Sequence, residues 1–597
     1  MTTSDLDNVA PPQAPVTKLE ENLSKIEDLT QRFLKAMNPK RQVPTSLQGP
    51  TPELYAKAAS AYMSEMVNNP AKLLEQQVQF WGKSVKHYID AQQQLMQGTV
   101  PPPEDSAPKD RRFAHELWQT NPYFSFIKQQ YMINADAVRE TIAGIETMDD
   151  NEKRRLEFFG QQIVDMVSPT NFLATNPEAL SLAAETDGES LVLGLENLIR
   201  DLEANDGDLV VTLADKDAFQ VGENLATSPG DVVFRNRLFE LIQYTPSTEK
   251  VYETPLLIFP PWINKFYIMD LKPANSLIKW AVDQGYTVFV VSWVNPDVSL
   301  RDVGMDDYVE EGYLTAIDTV KTICDVEKIN AVGYCIAGTT LSLTMALLKQ
   351  RNDTSINAAT LFTTLTDFSD RGEVGVFLED DFVDGIENEV SEQGILDKFY
   401  MSRTFSYLRS NDLIYGPAIR SYMLGKAPPA FDLLYWNGDG TNLPGKMAIE
   451  YLRGLCQNDN FASDGMEICG TTVRLSEVSV PICAIACETD HIAAWKSSYR
   501  GVQAMGATDK TFILSESGHI AGIINPPTKK KYGHYTNPEM GLAPDDWLAD
   551  ADKHEGSWWP RWDDWLSKKS GKKIKARKPG SKTYPVIAPA PGTYVVK

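Results

Sequence analysis

Three observations predict an α/β protein whose mostly parallel sheet follows a helical N-terminal region. Up to about residue 207 the apolar residues recur at spacings of three and four, the period of amphipathic helices. From about residue 209 they collect into short, near-continuous runs, most of them separated by helical patterns, as strands buried on both faces require. One such run, residues 329–332, enters Gly333-Tyr334-Cys335-Ile336-Ala337-Gly338, and a helix-like run, residues 339–349, leaves it. A strand, a sharp turn flanked by small residues and a helix form the context in which a nucleophile is lifted clear of the backbone.

The helical third opens with Val16, Leu19, Leu23, Ile26, Leu29, Phe33 and Met37 on one stripe with charges opposite, which predicts a helix packed on its own protein. A second helical stretch covers 52–97 with an interruption at Asn69-Pro70, and the proline-rich residues 99–104 read as a stiff polar linker. Further helices are predicted over 114–147 and 151–167, with a stop at 168–172. Strands are expected at 209–213, 231–235, 238–244, 255–259, 287–293, 329–334, 358–363, 480–486 and 510–514. The interval 367–465 is too long for a simple crossover and shows no clear strand alternation, so it reads as a cap inserted over the sheet's functional edge. The expected organisation is a helical domain over 1–207 and a catalytic α/β domain over 208–597, with the cap at about 367–465.

Bulk properties exclude several classes. A net charge of -24 argues against a general nucleic-acid binder and means that an anionic substrate must be met by local Lys and Arg. Six cysteines in 597 residues are too few and too scattered for a disulfide framework, and none has a zinc-site spacing with histidines, so no metal is expected. Cys483 and Cys487 fall in an apolar run and read as core. Residues 1–13 lack a signal-peptide pattern and no apolar run approaches a membrane span, so a reduced cytoplasmic setting is expected. The run 568–582 carries eight Lys and Arg and reads as a solvated tail.

A cysteine nucleophile needs a base, and the base needs an orienter. Of the six histidines, His519 lies in Ser517-Gly518-His519-Ile520-Ala521-Gly522 directly after a predicted strand. Asp490 ends Cys487-Glu488-Thr489-Asp490, directly after another. The order Cys335, Asp490, His519 is the nucleophile, acid, histidine order of α/β-hydrolases, and each member falls at the carboxyl end of a strand, where open α/β sheets hold their ligands. Singly, a cysteine is more often a small core residue and an aspartate a helix cap; three agreeing placements reverse those odds. His491, beside Asp490, is assigned to the pocket. The oxyanion donors should be the backbone N–H groups of Ile336 and of Ile263 in Pro260-Pro261-Trp262-Ile263-Asn264-Lys265, because the two prolines cannot donate.

With these residues in place, the chain resembles the class I polyhydroxyalkanoate synthases, which polymerise hydroxyacyl-CoA into a storage polyester. The resemblance rests on Gly333-Tyr334-Cys335, the Pro260–Lys265 loop, Ser292-Trp293-Val294-Asn295-Pro296-Asp297, Asn411-Asp412-Leu413, Phe431-Asp432-Leu433-Leu434-Tyr435-Trp436-Asn437-Gly438-Asp439, Asp490-His491-Ile492, Gly518-His519-Ile520-Ala521-Gly522 and Gly556-Ser557-Trp558-Trp559-Pro560. It implies an α/β-hydrolase fold with a cap, and Cys335, Asp490 and His519 as the catalytic residues. It also implies an (R)-3-hydroxyacyl-CoA substrate, short-chain such as 3-hydroxybutyryl-CoA, with CoA as leaving product and no separate cofactor. Arg409, Lys265 and Asn264 are the candidate contacts to substrate and CoA. The implied setting is a cytoplasmic homodimer on polyester granules, with phasin-type proteins as partners. Two positions depart from the family: Ala337-Gly338 replaces a frequent pair of glycines, and Trp262 stands where smaller residues are common. The same residues would also serve a cysteine-based thioesterase or polyester hydrolase, and a third reading is an inactive granule-binding scaffold.

Overall fold

The computed structural model describes residues 18–37, 52–68, 70–97 and 110–597. Val16 and the linker predicted at 99–104 lie outside the described residues. The chain divides into two compact units. The first holds the early helices, Tyr55–Leu213 and Arg409–Pro428; the second holds Ala214–Leu408 and Pro429–Lys597.

The first unit is built from α1 (Lys18–Ala36), α2 (Pro52–Asn68), α3 (Pro70–Gln97), α4 (Pro122–Ala143), α5 (Asp150–Met166) and α6 (Glu189–Ala204), with shorter helical turns between them. On α1 the predicted stripe does pack on its own protein: Ile26, Leu29 and Phe33 meet Val192, Leu195 and Ile199 of α6. Ion pairs Lys18–Glu189 (2.7 Å) and Arg32–Glu203 (2.8 Å) flank that seam. Met37, at the stripe's end, is exposed. The helix expected over 114–147 is split at Asn121-Pro122, because the Asn121 side chain accepts from the Tyr123 N–H (3.0 Å) and proline starts the new helix.

Residues 209–213 do not form the expected strand. Asp201, buried at the end of α6, draws this segment to itself: its carboxylate accepts from the Thr212 N–H (3.0 Å) and hydroxyl (2.8 Å). Backbone groups that a strand would give to a sheet are thereby used locally. The segment Arg409–Pro428, inside the interval read as cap, groups with these helices. Tyr422 donates to Asp201 (2.8 Å) and the Asn197 amide to the Ser421 carbonyl (3.1 Å).

The second unit is organised by an 11-stranded sheet. Its strands are β1 (Gly230–Arg235), β2 (Phe239–Tyr244), β3 (Leu256–Phe259), β4 (Val288–Trp293), β5 (Ile329–Tyr334), β6 (Ile356–Phe362), β7 (Ile482–Cys487), β8 (Lys510–Ser515), β9 (His534–Thr536), β10 (Asp552–His554) and β11 (Ala588–Pro589). The spatial order is β10-β9-β8-β7-β6-β5-β3-β4-β2-β1-β11. The six strands from β4 across to β8 are mutually parallel, and those outside them pair antiparallel. Helices cover the central strands on both faces, which is why β4, β5 and β7 are buried along their whole length. This is the α/β-hydrolase arrangement with an insertion between β6 and β7. The insertion is helical, chiefly Asp380–Gln393, Lys398–Leu408, Asp432–Gly438 and Gly445–Ile449 running into Glu450–Gln457.

Cys483 and Cys487 are fully buried, as expected of core residues. The basic run at 568–582 is not a solvated tail. Lys573–Lys575 pairs antiparallel with Lys250–Tyr252, Arg577 donates to the Glu253 carbonyl (2.8 Å) and Lys569 pairs with Asp509 (2.9 Å). Satisfied backbone groups and fixed ion partners, more than charge count, decide whether such a run is held.

Candidate active site

Cys335 sits between β5 and α7 (Ile336–Gln350) with φ 54° and ψ −127°, a conformation that costs an L-residue about 1–3 kcal/mol. The surroundings over-determine it. Its N–H donates to the Phe362 carbonyl (2.8 Å), and its carbonyl accepts from the Gly338 N–H (2.8 Å) and the Thr364 hydroxyl (3.2 Å). A side chain at Gly333 would place its first carbon 2.5 Å from the Gly338 Cα, so strand and helix approach this closely only through glycine. Ala337 fits the turn: it is fully buried, and its carbonyl accepts from the Tyr313 hydroxyl (2.9 Å). Ile336 opens the helix, so its N–H lies in the first turn, where amides lack intrahelical acceptors and the helix dipole favours negative charge.

Asp490 follows β7, and one of its oxygens accepts from the N–H groups of Ile492 (2.8 Å) and Ala493 (2.9 Å). The other lies 2.7 Å from His519 Nδ1. A carboxylate only accepts, so Nδ1 carries the proton and Nε2 is left as the ring's second hydrogen-bonding atom, while the Cys335 sulfur interacts with the imidazole electrostatically. Burial alone would disfavour imidazolium. The Asp490 carboxylate and the Cys335 sulfur outweigh it and hold the His519 pKa well above the ordinary value. The Tyr334 hydroxyl donates to the His519 carbonyl (3.2 Å) and steadies the loop. In that loop the left-handed residue is Ser517 (φ 80°), not Gly518. Gly522 is the glycine with a steric reason, since a Cβ there would lie 2.5 Å from Cys487 Sγ.

The three residues singled out by motif and order are thus brought together. The other candidates are distributed differently. Ile263 and Asn264 lie in the turn after β3, Asn264 bridging to Gly440. His491 is half-buried directly after Asp490. Lys265 is buried and its ammonium is engaged by Asp439 (3.0 Å) and the Lys597 carbonyl (3.1 Å). The cleft of about 750 Å³ beside it carries Asp217, Glu223 and Asp439 against Lys216 and Lys265, a balance that does not suit the phosphates of CoA. Arg409 belongs to the first compact unit. Among the described residues, no group of three or more His, Cys, Asp or Glu is arranged to hold a metal ion.

One neighbour escaped the sequence reading. Tyr451, on the insertion, lies in dense protein surroundings and interacts electrostatically with Cys335. No local motif announces it, because only the folded insertion brings it to the elbow.

Residues 109–281 match the family described as the poly-beta-hydroxybutyrate polymerase N-terminus, and residues 255–526 match the α/β hydrolase fold. The chain is 42% identical over 531 residues to a poly(3-hydroxyalkanoate) polymerase of Methylorubrum extorquens, spanning 89% of this chain and 87% of that protein. To the poly(3-hydroxyalkanoate) polymerase subunit PhaC of Cupriavidus necator it is 42% identical over 493 residues, 81% of this chain and 83% of that one. To the corresponding subunit of Rhizobium etli it is 38% identical over 546 residues, 91% and 86% of the two chains. Identity at this level, running through both the helical N-terminal region and the sheet that carries Cys335, means that the chain belongs to the poly(3-hydroxyalkanoate) polymerase family.

Proposed function

We propose that this chain is an acyltransferase that polymerises (R)-3-hydroxyacyl-CoA into polyhydroxyalkanoate through an acyl thioester on Cys335. The observation that carries the reading is the Asp490–His519 hydrogen bond, with the imidazole interacting electrostatically with Cys335 at a strained elbow, in a chain whose relatives are polymerases over most of their length. His519 takes the thiol proton, and the sulfur attacks the thioester carbonyl of the substrate. The N–H groups of Ile336 and Ile263 hold the oxyanion, a donor being worth about 3 kcal/mol. When the intermediate collapses the carbon–sulfur bond to CoA breaks, and His519 returns the proton to the departing thiolate. One thioester replaces another, so the acyl group stays activated. In the second half-reaction the 3-hydroxyl of a further unit attacks the Cys335 thioester, an ester bond forms, and the thiol is regenerated. His519 is the base for that hydroxyl: both Asp490 oxygens are already committed, one to His519 and one to two backbone amides. CoA enters with the substrate and leaves as product, and Asn264 and His491 remain the candidates for substrate contact.

Supplying (R)-3-hydroxybutyryl-CoA and weighing polymer against free hydroxy acid tests this reading. Polymer, CoA release and an acyl mass on Cys335 are expected, all lost in Cys335→Ala. CoA release with only soluble acid would replace it by the thioesterase reading, and granule formation that survives Cys335→Ala would favour the scaffold.

We further propose that α3 attaches the protein to the polyester granule in the cytoplasm. Val78, Trp81, Val85, Tyr88 and Ile89 recur at helical spacing and are exposed, Trp81 at 65%. His87, in contrast, packs against Phe126 of α4 (ring centroids 4.6 Å apart). A row of this kind on a solvated helix marks a contact surface. Trp81→Ser with Tyr88→Ser should leave CoA release from soluble substrate intact and lower the fraction of enzyme sedimenting with granules. No helix among the described residues is long and apolar enough to cross a membrane.

A further inference from the structure

Trp262 precedes Ile263, the proposed oxyanion donor, and is wholly buried. Its indole N–H donates to the Thr340 hydroxyl (3.2 Å) on α7, and that hydroxyl reaches the Ile336 carbonyl (3.2 Å). Trp262 is therefore tied by its backbone to one oxyanion donor and through Thr340 to the residue supplying the other. Its ring stands between two tyrosines, Tyr308 at 5.8 Å and Tyr451 at 5.6 Å, the latter edge-on at 90°. Tyr451 also meets Phe368 (6.5 Å).

Tyr451 and Cys335 share a further property. Both belong to the second unit and are only half-buried, and Tyr451 interacts electrostatically with Cys335. Burial first, then the Cys456 and Cys335 sulfurs, push the Tyr451 pKa well above the ordinary phenol value. The ring therefore stays neutral and presents an apolar face suited to a hydrocarbon side chain. Trp262, having no exposed surface, packs edge-on against it.

We propose that Tyr451, backed by Trp262, forms the wall that limits the length of the hydroxyacyl side chain accepted at Cys335. The inference rests on the reading of Cys335 as the acyl-carrying nucleophile. A pocket discriminates by excluding methylenes, and each methylene is worth about ten- to two-hundred-fold in kcat/KM. Removing the indole leaves a void that Tyr451 can enter, giving a longer side chain room. The wall acts by volume, so the phenol oxygen is dispensable to it.

The test is CoA release from a series of 3-hydroxyacyl-CoA substrates of increasing side-chain length, measured for the wild type, Trp262→Ala, Trp262→Phe, Tyr451→Leu and Tyr451→Phe. Expected is a rise of about tenfold or more in the kcat/KM ratio of long to short substrates for Trp262→Ala and Tyr451→Leu. A smaller rise is expected for Trp262→Phe and an unchanged ratio for Tyr451→Phe. Because the readout is a ratio, a general loss of rate in a variant does not obscure it. Length profiles that superimpose across all five proteins would overturn the wall, as would a Tyr451→Phe profile shifted as far as that of Tyr451→Leu. Free acid in place of polymer would overturn the polymerase reading, and the length profile would still decide for or against the wall. Absence of CoA release by the wild type from every member would overturn both.

Discussion

Asp490 acts on His519 through charge as well as position, and the two effects separate in Asp490→Asn. Without the carboxylate, only the Cys335 sulfur still opposes burial, so the His519 pKa falls and the ring becomes a weaker base for the Cys335 thiol. CoA release should fall about a hundred- to ten-thousand-fold, and the His519 ring resonances should titrate at lower pH by NMR. The stability linkage has a definite sign. A histidine whose folded pKa is raised contributes stability below its unfolded value of about 6.5, lost as pH rises through the folded value. The stability gap between wild type and Asp490→Asn, considered for His519, should therefore narrow as pH rises above that point. At Cys335 the strain itself is measurable. Cys335→Gly and Cys335→Ala both abolish CoA release, but only glycine relieves the backbone, so its unfolding free energy should exceed that of the alanine variant by about 1 kcal/mol despite the usual entropic penalty of glycine. These residues were legible in the sequence because each lies within a few positions of a strand end, where local pattern decides side-chain placement. Tyr451 was not, because its nearness to Cys335 is a long-range consequence of how the insertion folds. Lys265 was misleading in the same way: a lysine in a motif loop looks available until Asp439 is found against it.

Among the elements, the strands buried on both faces were read nearly to the residue, since continuous apolar runs follow directly from helices on either side. The short outer strands were missed. Asp552–His554 and Ala588–Pro589 are too brief and too polar to carry a period, and they exist only because a neighbouring edge offers backbone partners. The outer edge at β9 and β10 makes its own prediction. His534 and His554 are register partners and stack with ring centroids 5.1 Å apart. His534 Nδ1 faces the Gly556 carbonyl (3.0 Å), and Arg561 donates to His534 Nε2 (3.1 Å) and to His554 Nδ1 (3.1 Å). Arginine has no acceptor, so both rings must be neutral. Burial first, with Arg561 and His554 adding to it against Gly556 and Glu516, pushes the His534 pKa down to about 4. A depressed folded value means stability that is complete above about pH 6.5 and lost as pH falls toward 4. His534→Gln keeps a donor and an acceptor but does not titrate. Denaturant unfolding of the two proteins should show the wild type losing on the order of 2–3 kcal/mol relative to the variant across that interval. A constant difference would show that this edge does not respond to acid.

For the molecule as a whole, the proposed acyl-enzyme on Cys335 makes the product depend on whether a hydroxyl or water reaches it, and we propose that the insertion governs that choice. Sequence order placed residues 367–465 in one cap, yet Arg409–Pro428 groups with the N-terminal helices, a split that linear reading cannot reveal because it depends on contacts hundreds of residues apart. The part that remains in the second unit is braced from within. Arg453, two residues after Tyr451, reaches Asp380 (2.9 Å), Asp384 and Glu387 (3.1 Å) on the Asp380–Gln393 helix. Gln457, one turn on, donates to the Leu378 carbonyl (2.8 Å). The carboxylates are well exposed, so each pair is worth only about 0.2–1 kcal/mol and salt screens it, the Debye length being about 8 Å at physiological ionic strength. Three such contacts on one guanidinium tie the Asp380–Gln393 helix to the segment that carries Tyr451 without making a strong bond. If closure is what keeps water from the acyl-enzyme, Arg453→Gln should raise the share of acyl groups released as free hydroxy acid, while initial CoA release, which precedes that branch, changes little. Added salt should move the wild type toward the variant's product ratio and leave the variant almost unaffected. Product partition measured with (R)-3-hydroxybutyryl-CoA at low and high ionic strength decides the matter: an Arg453→Gln enzyme with the wild-type ratio at every salt concentration would remove the insertion's acidic helix from any part in excluding water.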